Sequence, residues 1–251
     1  MKKPRTIFKL FVFFSVFLSA GWLAGQSRWS FDFENGAAFN GMNDIGIPKS
    51  AGTRFSLTER FDVNPTYFFR LRLTYRIGDR HALSALFAPL SFNASGRTDA
   101  SILFNGTSFP LGADVEALYR FNSYRLTYRY ILVDTDAWKV GIGFTAKIRD
   151  AAIRLDAGSV ESEKTNVGFV PLLHVRVEHQ LSAKLAALLE GDALAAKQGR
   201  AEDFLLALLY RLSPGATLKA GYRIVEGGAN VEEVYNFALI HYVSLGILVD
   251  F

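Results

Sequence analysis

Cysteine is absent from all 251 residues. That absence excludes disulfides, a thiolate metal site, a cysteine nucleophile and a cysteine-linked lipid anchor. A real excess of one charge sign is missing as well. The formal charge of +4 rests on Lys2, Lys3, Arg5 and Lys9, which lie in a first stretch of 27 residues that holds no acid; without these four, the 28 Lys and Arg balance the 24 Asp and Glu. No basic surface for nucleic acid survives. Long apolar runs are also lacking. Leu10 to Leu18, apolar except for Ser15, falls well short of the ~20 residues that a spanning helix needs. With its basic start and the small residues Ser19, Ala20, Gly21, Ala24 and Gly25 behind it, this stretch has the form of a signal peptide over residues 1–27. Cleavage is expected between residues 24 and 27, leaving one domain over 28–251.

What the chain does have is alternation. In Val234 to Phe251, every second residue back from the end gives Phe251, Val249, Ile247, Leu245, Val243, His241, Leu239, Phe237 and Tyr235, a nearly continuous apolar face. The period is that of a strand, and the length exceeds the ~5 to 6 residues usual in soluble sheets. Phe69, Leu71, Leu73 and Tyr75 alternate in the same way with Arg70, Arg72, Thr74 and Arg76, as do Trp138 to Ile148 with Lys139, Lys147 and Arg149. The chain resembles the outer-membrane barrels of Gram-negative bacteria, in which a last strand ending in Phe is read by the assembly machinery. That resemblance makes Phe251 the expected assembly signal and implies lipid, lipopolysaccharide and the assembly machinery as partners.

Connections alternate in length along the chain. Turns at 78–80, 134–136, 181–183 and 213–215 are short, whereas the stretches near 40–65, 95–114, 156–165, 197–201 and 226–233 carry Gly, Pro, Asn or acids. The expected fold is all-β: a closed, antiparallel, up-and-down transmembrane β-barrel of about ten strands. Eight or twelve strands stay open, because Arg54 to Phe61 and Ser101 to Phe109 count either way. Trp29, Trp138, Tyr75, Tyr130 and Tyr210 fall beside the short turns as an interfacial girdle, with Tyr67, Phe169, Phe204 and Tyr235 at the far interface. The upper half of the strand over 116–132 has the opposite apolar phase to its lower half, which predicts a bulge near Asn122 and Ser123.

If the apolar face meets lipid, the other face lines the lumen. Arg70, Arg72, Arg76, Arg125, Arg129 and Lys139 fall on it, as do Lys147, Arg149, Arg176, Lys219 and Arg223. His174, Glu178, Glu190, Asp192 and Asp203 join them, with Asp32 and Glu34 as further partners. A barrel this narrow is nearly filled by its side chains. The residues therefore form either a plug of ion pairs or a narrow, anion-preferring passage. No metal or cofactor site is expected.

Catalytic constellations are thin. His174 and Glu190 are the best candidates for a histidine with an orienting carboxylate. Lipid A deacylase barrels place Ser two residues after His, but here His81, His174, His179 and His241 are followed at that spacing by Leu83, Arg176, Leu181 and Val243. The paired aspartates of ten-stranded omptin proteases are not recognisable either. Phe169 to His174, Gly199 to Asp203 and Tyr222 to Gly228 resemble a family of uncharacterised bacterial outer-membrane barrels, a resemblance that runs from about Tyr119 to the end and implies no activity. Pro89 and Pro171 each follow a Phe by two positions, and proline cannot donate to a ladder. Palmitoyltransferase barrels admit lipid sideways at such places. Two functions are therefore expected: a non-enzymatic barrel, structural or passing small solutes, or a lipid-directed enzyme or hydrophobic-ligand binder with lateral access near Pro89 or Pro171.

Overall fold

The computed structural model describes residues 28–251; the leader expected over residues 1–27 lies outside them. The elements are β1 (Trp29–Gly46), β2 (Phe55–Ser56), α1 (Leu57–Arg60), β3 (Asp62–Val63), β4 (Thr66–Ile77), β5 (His81–Ala88), β6 (Ser91–Arg97), β7 (Ile102–Phe104) and β8 (Thr107–Phe109). They continue with β9 (Asp114–Asp134), β10 (Trp138–Asp156), β11 (Glu161–Gln180), β12 (Leu185–Ala196), β13 (Gly199–Ser213), β14 (Ala216–Val231) and β15 (Val234–Asp250). Each wall strand pairs antiparallel with its neighbours in sequence, and β1 closes on β15 from Ser30↔Asp250 to Gly46↔Tyr235. β5 and β6 are two halves of one stave, so the wall has ten. The shape is a closed up-and-down barrel.

Alternation of burial follows alternation of sequence. In β5, HALSALFA, every second residue is buried and every other one exposed. Phe144, Leu206, Val243 and Leu245 all stand out from the wall, forming a wide apolar band on the outside. An apolar surface of that extent is unstable in water and matches a bilayer. At the short-turn end Trp29 packs on Tyr75 with ring centroids 4.6 Å apart, and Trp138 stacks on His179 at 4.0 Å. These are the rings expected at an interface.

At the long-loop end the wall rises further than the sequence pattern predicts. β10 and β11 stay paired to Asp156↔Glu161, so the polar stretch expected to be a loop over 156–165 shrinks to residues 157–160. The outward faces here are polar: Arg120 and Asn122 both bond Asp150, and Arg154 meets Glu161 at 3.5 Å. Loss of the apolar pattern marks the end of the lipid band, not the end of the strand.

Arg54 to Phe61 and Ser101 to Phe109 add no staves. They form a cap. Phe55, Leu57 and Phe61 from the first excursion, and Ile102, Phe104 and Phe109 from the β7–β8 hairpin, are buried together with Phe68, Phe92, Tyr119 and Leu155 of the wall. The hairpin turns at Asn105 and Gly106, both at positive φ, the conformation that Asn-Gly favours in two-residue turns. The Asn105 backbone N–H donates to the Ile47 carbonyl at 2.8 Å, and its side-chain amide donates to the Glu163 carbonyl at 3.1 Å. The cap is therefore fastened to the rim on two sides.

This apolar interior overturns the bulge expected near Asn122 and Ser123. β9 pairs with β10 through Asp150↔Asn122 and Arg149↔Ser123 without a shift; the irregularity lies at Val140/Gly141 instead. Val115, Ala117 and Tyr119 share the inward phase of Ser123 and Arg125 because the upper lumen is apolar there. A real bulge sits beside His241. The β1 register shifts between Asn40 and Met42, and a Cβ on Gly41 would lie 2.6 Å from the His241 ring. His241, facing outward, is bonded to the Tyr222 hydroxyl at 2.5 Å.

Cap and wall should come apart experimentally. Phe104→Ala removes a fully buried ring and is expected to cost about 3 to 5 kcal/mol of cap packing. Limited proteolysis should then cut within residues 98–113, while the heat-modifiable gel mobility of the intact wall is retained.

Candidate functional site

Inside the wall, the lower lumen is filled by charge. Asp203 on β13 accepts from Arg70 on β4 at 3.0 Å, from Arg125 on β9 at 2.5 Å and from Arg223 on β14. Glu34 on β1 accepts from the Arg223 Nε at 2.9 Å and from Lys219 at 3.0 Å, and Lys219 also meets Asp32 at 2.7 Å. Glu190 on β12 is gripped by Arg72 and Arg176, and Arg176 reaches Glu178 at 3.3 Å. Asp192 takes Arg125 at 2.6 Å, the Thr145 hydroxyl at 2.6 Å and the His174 ring at 3.0 Å. Arg70–Asp203, Arg125–Asp203 and Arg72–Glu190 join strands that are not neighbours, so these pairs run straight across the lumen.

The sequence-expected lumen residues thus fall in three places. Arg70, Arg72, Arg125, His174, Arg176, Glu178, Glu190, Asp192, Asp203, Lys219 and Arg223 form the cross-linked floor, with Arg129 beside it on β9. Arg76 and Lys139 stand at the short-turn rim, where Arg76 pairs with Asp250 at 2.8 Å and Lys139 with Asp134 at 3.5 Å. Lys147 and Arg149 lie above the floor, where they line a cavity.

That cavity has a volume of about 730 Å³, within the range of small-molecule sites. Tyr119 and Phe121 of β9, Ile153 of β10, Val170 of β11 and Leu194 of β12 give it apolar walls. It extends to Gln198 and Glu233 at the long-loop end and includes neither His174 nor Glu190. Both of those catalytic candidates are spent in the ion-pair floor. Thr145 falls inside, as its alternation with Lys147 and Arg149 predicts, but Tyr119 and Phe121 were not legible as interior groups from the sequence. Tyr119 and Phe121 read as lipid-facing because they are apolar, and only their shared phase with Arg125 could have placed them inside.

The two prolines differ. At Pro89 the ladder on the β9 side is bridged, the Asn122 side chain accepting the Leu90 N–H at 3.0 Å and the Phe121 N–H donating to Leu90 at 2.9 Å, but on the other side the β4–β5 ladder ends at Leu71↔Phe87 although β4 continues to Thr66. Behind it only about 10 Å³ is free, room for a single water. At Pro171 the wall parts. β11 and β12 pair from Gln180↔Ala186 up to Leu173↔Ala193 and no further, although β11 continues to Glu161 and β12 to Ala196. Pro171, Val170, Phe169, Leu194 and Ala196 border both this gap and the cavity. Phe169, 65% exposed and level with outward Ile148, faces outward beside it, so the gap starts at the upper part of the apolar band and runs on past Val167, level with Asp150, where the outward face turns polar.

Neither a protein-family model nor a curated protein matches the sequence. Among solved structures, the outer membrane protease OmpT of Escherichia coli superimposes with a TM-score of 0.55 at 7% identity, over 92% of this chain and 99% of that one. The fold is that of an outer-membrane barrel. An outer membrane channel from Pseudomonas putida F1 is similar at a TM-score of 0.44 and 10% identity, over 92% of this chain and 98% of that one. Likeness to OmpT at this identity extends to the architecture and not to its proteolysis.

Removing the hub of the floor should be costly. Asp203→Ala leaves buried Arg70 without its carboxylate and takes one of two carboxylate partners from each of Arg125 and Arg223, and is expected to lose about 3 to 5 kcal/mol. Lys139→Ala at the exposed rim should lose less than about 1 kcal/mol. Urea unfolding of the two variants in detergent micelles checks the contrast.

Proposed function

We propose that this barrel is a non-conducting outer-membrane protein that binds a hydrophobic or amphiphilic ligand entering sideways from the bilayer. One observation carries the reading. The β11–β12 ladder stops at Leu173↔Ala193 and leaves β11 unpaired on that side, beside a cavity of about 730 Å³. Unpaired backbone groups facing hydrocarbon cost several kcal/mol each, so a bare strand edge in the lipid band is a feature with a use. The transverse ion pairs argue against the alternative of a small-solute passage, because a permeating ion would have to break bonds such as Arg125–Asp203 that span the lumen. Nothing in the cavity provides a nucleophile beside a base, so binding is preferred to chemistry.

The same reading places the chain in the outer membrane, exported through a leader cleaved between residues 24 and 27. Its partners are lipid and lipopolysaccharide, and the assembly machinery engages it through β15 and Phe251. Phe251 closes the barrel, exchanging backbone hydrogen bonds with Trp29 at 2.9 and 3.0 Å.

Two measurements test the proposal. Protein purified from membranes should give no steady current in a planar bilayer; reproducible anion-selective steps would restore the passage. The second uses the absence of native cysteine. Phe169→Cys/Ala195→Cys, bridged across the gap by a bifunctional thiol reagent, should lose binding of the apolar dye N-phenyl-1-naphthylamine, whereas the unbridged variant binds it as the parent does. Equal binding in both would rule out sideways entry.

A further inference from the structure

We infer that the ligand carries an anionic head, a carboxylate or a phosphate on an alkyl chain, and that Lys147 and Arg149 receive this head while the chain leaves through the gap beside Pro171. The inference rests on the binding role just proposed and names the class of ligand.

Buried charges are normally paired, and in the floor Arg70, Arg72, Arg125, Arg176, Lys219 and Arg223 each meet a carboxylate, whereas Arg129 beside it has no ion pair among the described residues. Two cations of the cavity also lack one. Lys147 is 3% exposed and, among the described residues, has no carboxylate or hydrogen-bond partner; its ammonium only faces the Phe121 ring, 4.7 Å from the centroid. Arg149 donates through one terminal nitrogen to the Asn166 side chain, a neutral acceptor, and its Nε is buried without a partner. Lys164 adds a third cation to the lining. The acids there are fewer: Glu226 is already held by Arg200, at 2.9 Å from its Nε, and Glu233 lies at the far end beside Val234.

Position makes these cations part of the entrance. Lys147 is paired in register with Val170, and Arg149 with Gly168, on the very strand whose other edge is bare. Both inward-facing cations therefore stand at the height of the gap, one strand away from it. A Cβ on Gly168 would come within 3.1 Å of the Arg149 guanidinium, so the glycine leaves that side chain its space against the wall. An amphiphile lying in the adjacent leaflet could put its head on Lys147 and Arg149 without withdrawing its chain from lipid. Charge-assisted hydrogen bonds from these donors would replace the missing partners, and Phe121, Val170 and Leu194 would pack on the first methylenes.

The test is binding to the full-chain protein purified from membranes, with palmitate, palmitoyl lysophosphatidate and uncharged hexadecanol as competitors of N-phenyl-1-naphthylamine. Either anion should compete at least about tenfold better than hexadecanol, the scale of one charge-assisted contact. Comparison of the carboxylate with the phosphate distinguishes a free fatty acid from a phospholipid-derived ligand. Lys147→Met, and separately Lys147→Met/Arg149→Gln, should remove that advantage and leave hexadecanol binding intact, which also reports that the cavity has folded. Equal competition by all three in the parent would overturn the anionic head but leave the lateral binding role. A preference that persists in the double variant would overturn the assignment to these two residues. Binding of neither dye nor any competitor would overturn the binding role and this inference with it.

Discussion

A chain that crosses hydrocarbon has to satisfy every backbone N–H and C=O by itself. In this molecule that condition is met by closing ten staves into a ring, with β1 laid along β15, except where the β11–β12 and β4–β5 ladders stop short. Strand length, the strictly sequential pairing and the alternation of side chains all follow from it. The interruption at Pro171 has its meaning only against this background: in a soluble sheet a ragged edge is ordinary, but here it lies in the apolar band and opens on a cavity.

Closure also forces the lumen to be solved as a separate problem. Eleven of the sequence-marked groups meet in the lower half, where Asp203, Glu190 and Asp192 each take more than one donor. The upper half is solved differently, with the rings of Phe55, Phe104 and Phe109 brought in from loops. Between a charged floor and an apolar ceiling, about 730 Å³ stays open on the side of β10 to β14. The cavity lies there, so its bounds are set by two kinds of packing that do not substitute for each other.

Much of this was legible in the chain itself. Phe69 to Arg76 shows a strand with lipid on one face and charge on the other, and the alternating turn lengths give ten staves with the termini together. Arg70, Asp203 and Arg223 could be assigned to the interior because period two leaves them nowhere else. Reading every apolar residue as lipid-facing was the step that failed. Tyr119 and Val115 are apolar and inward, since the cap supplies them with a hydrophobic neighbourhood that local pattern cannot anticipate. Strand tops were cut short for the same reason: beyond the bilayer, outward positions such as Asp150 and Arg154 turn polar although the ladder goes on. Pro171 and Pro89 look alike in sequence, and a ladder stops short beside each; what separates them is the space behind, about 10 Å³ at Pro89 against about 730 Å³ at Pro171.

The amide of Asn105 holds the Glu163 carbonyl from the cap, near the tip of the strand that is bare on one side. Up to that tip β11 remains fully paired with β10. The cap therefore ties down the upper corner of this pair, which the β9–β10 ladder holds along one side and the β11–β12 ladder holds only from Leu173 downward on the other. The same Asn105 amide donates to the Ser162 hydroxyl at 3.4 Å, so the upper margin of the doorway is held by two side-chain hydrogen bonds from one cap residue, roughly 55 Å of strand away from the turn at Thr135.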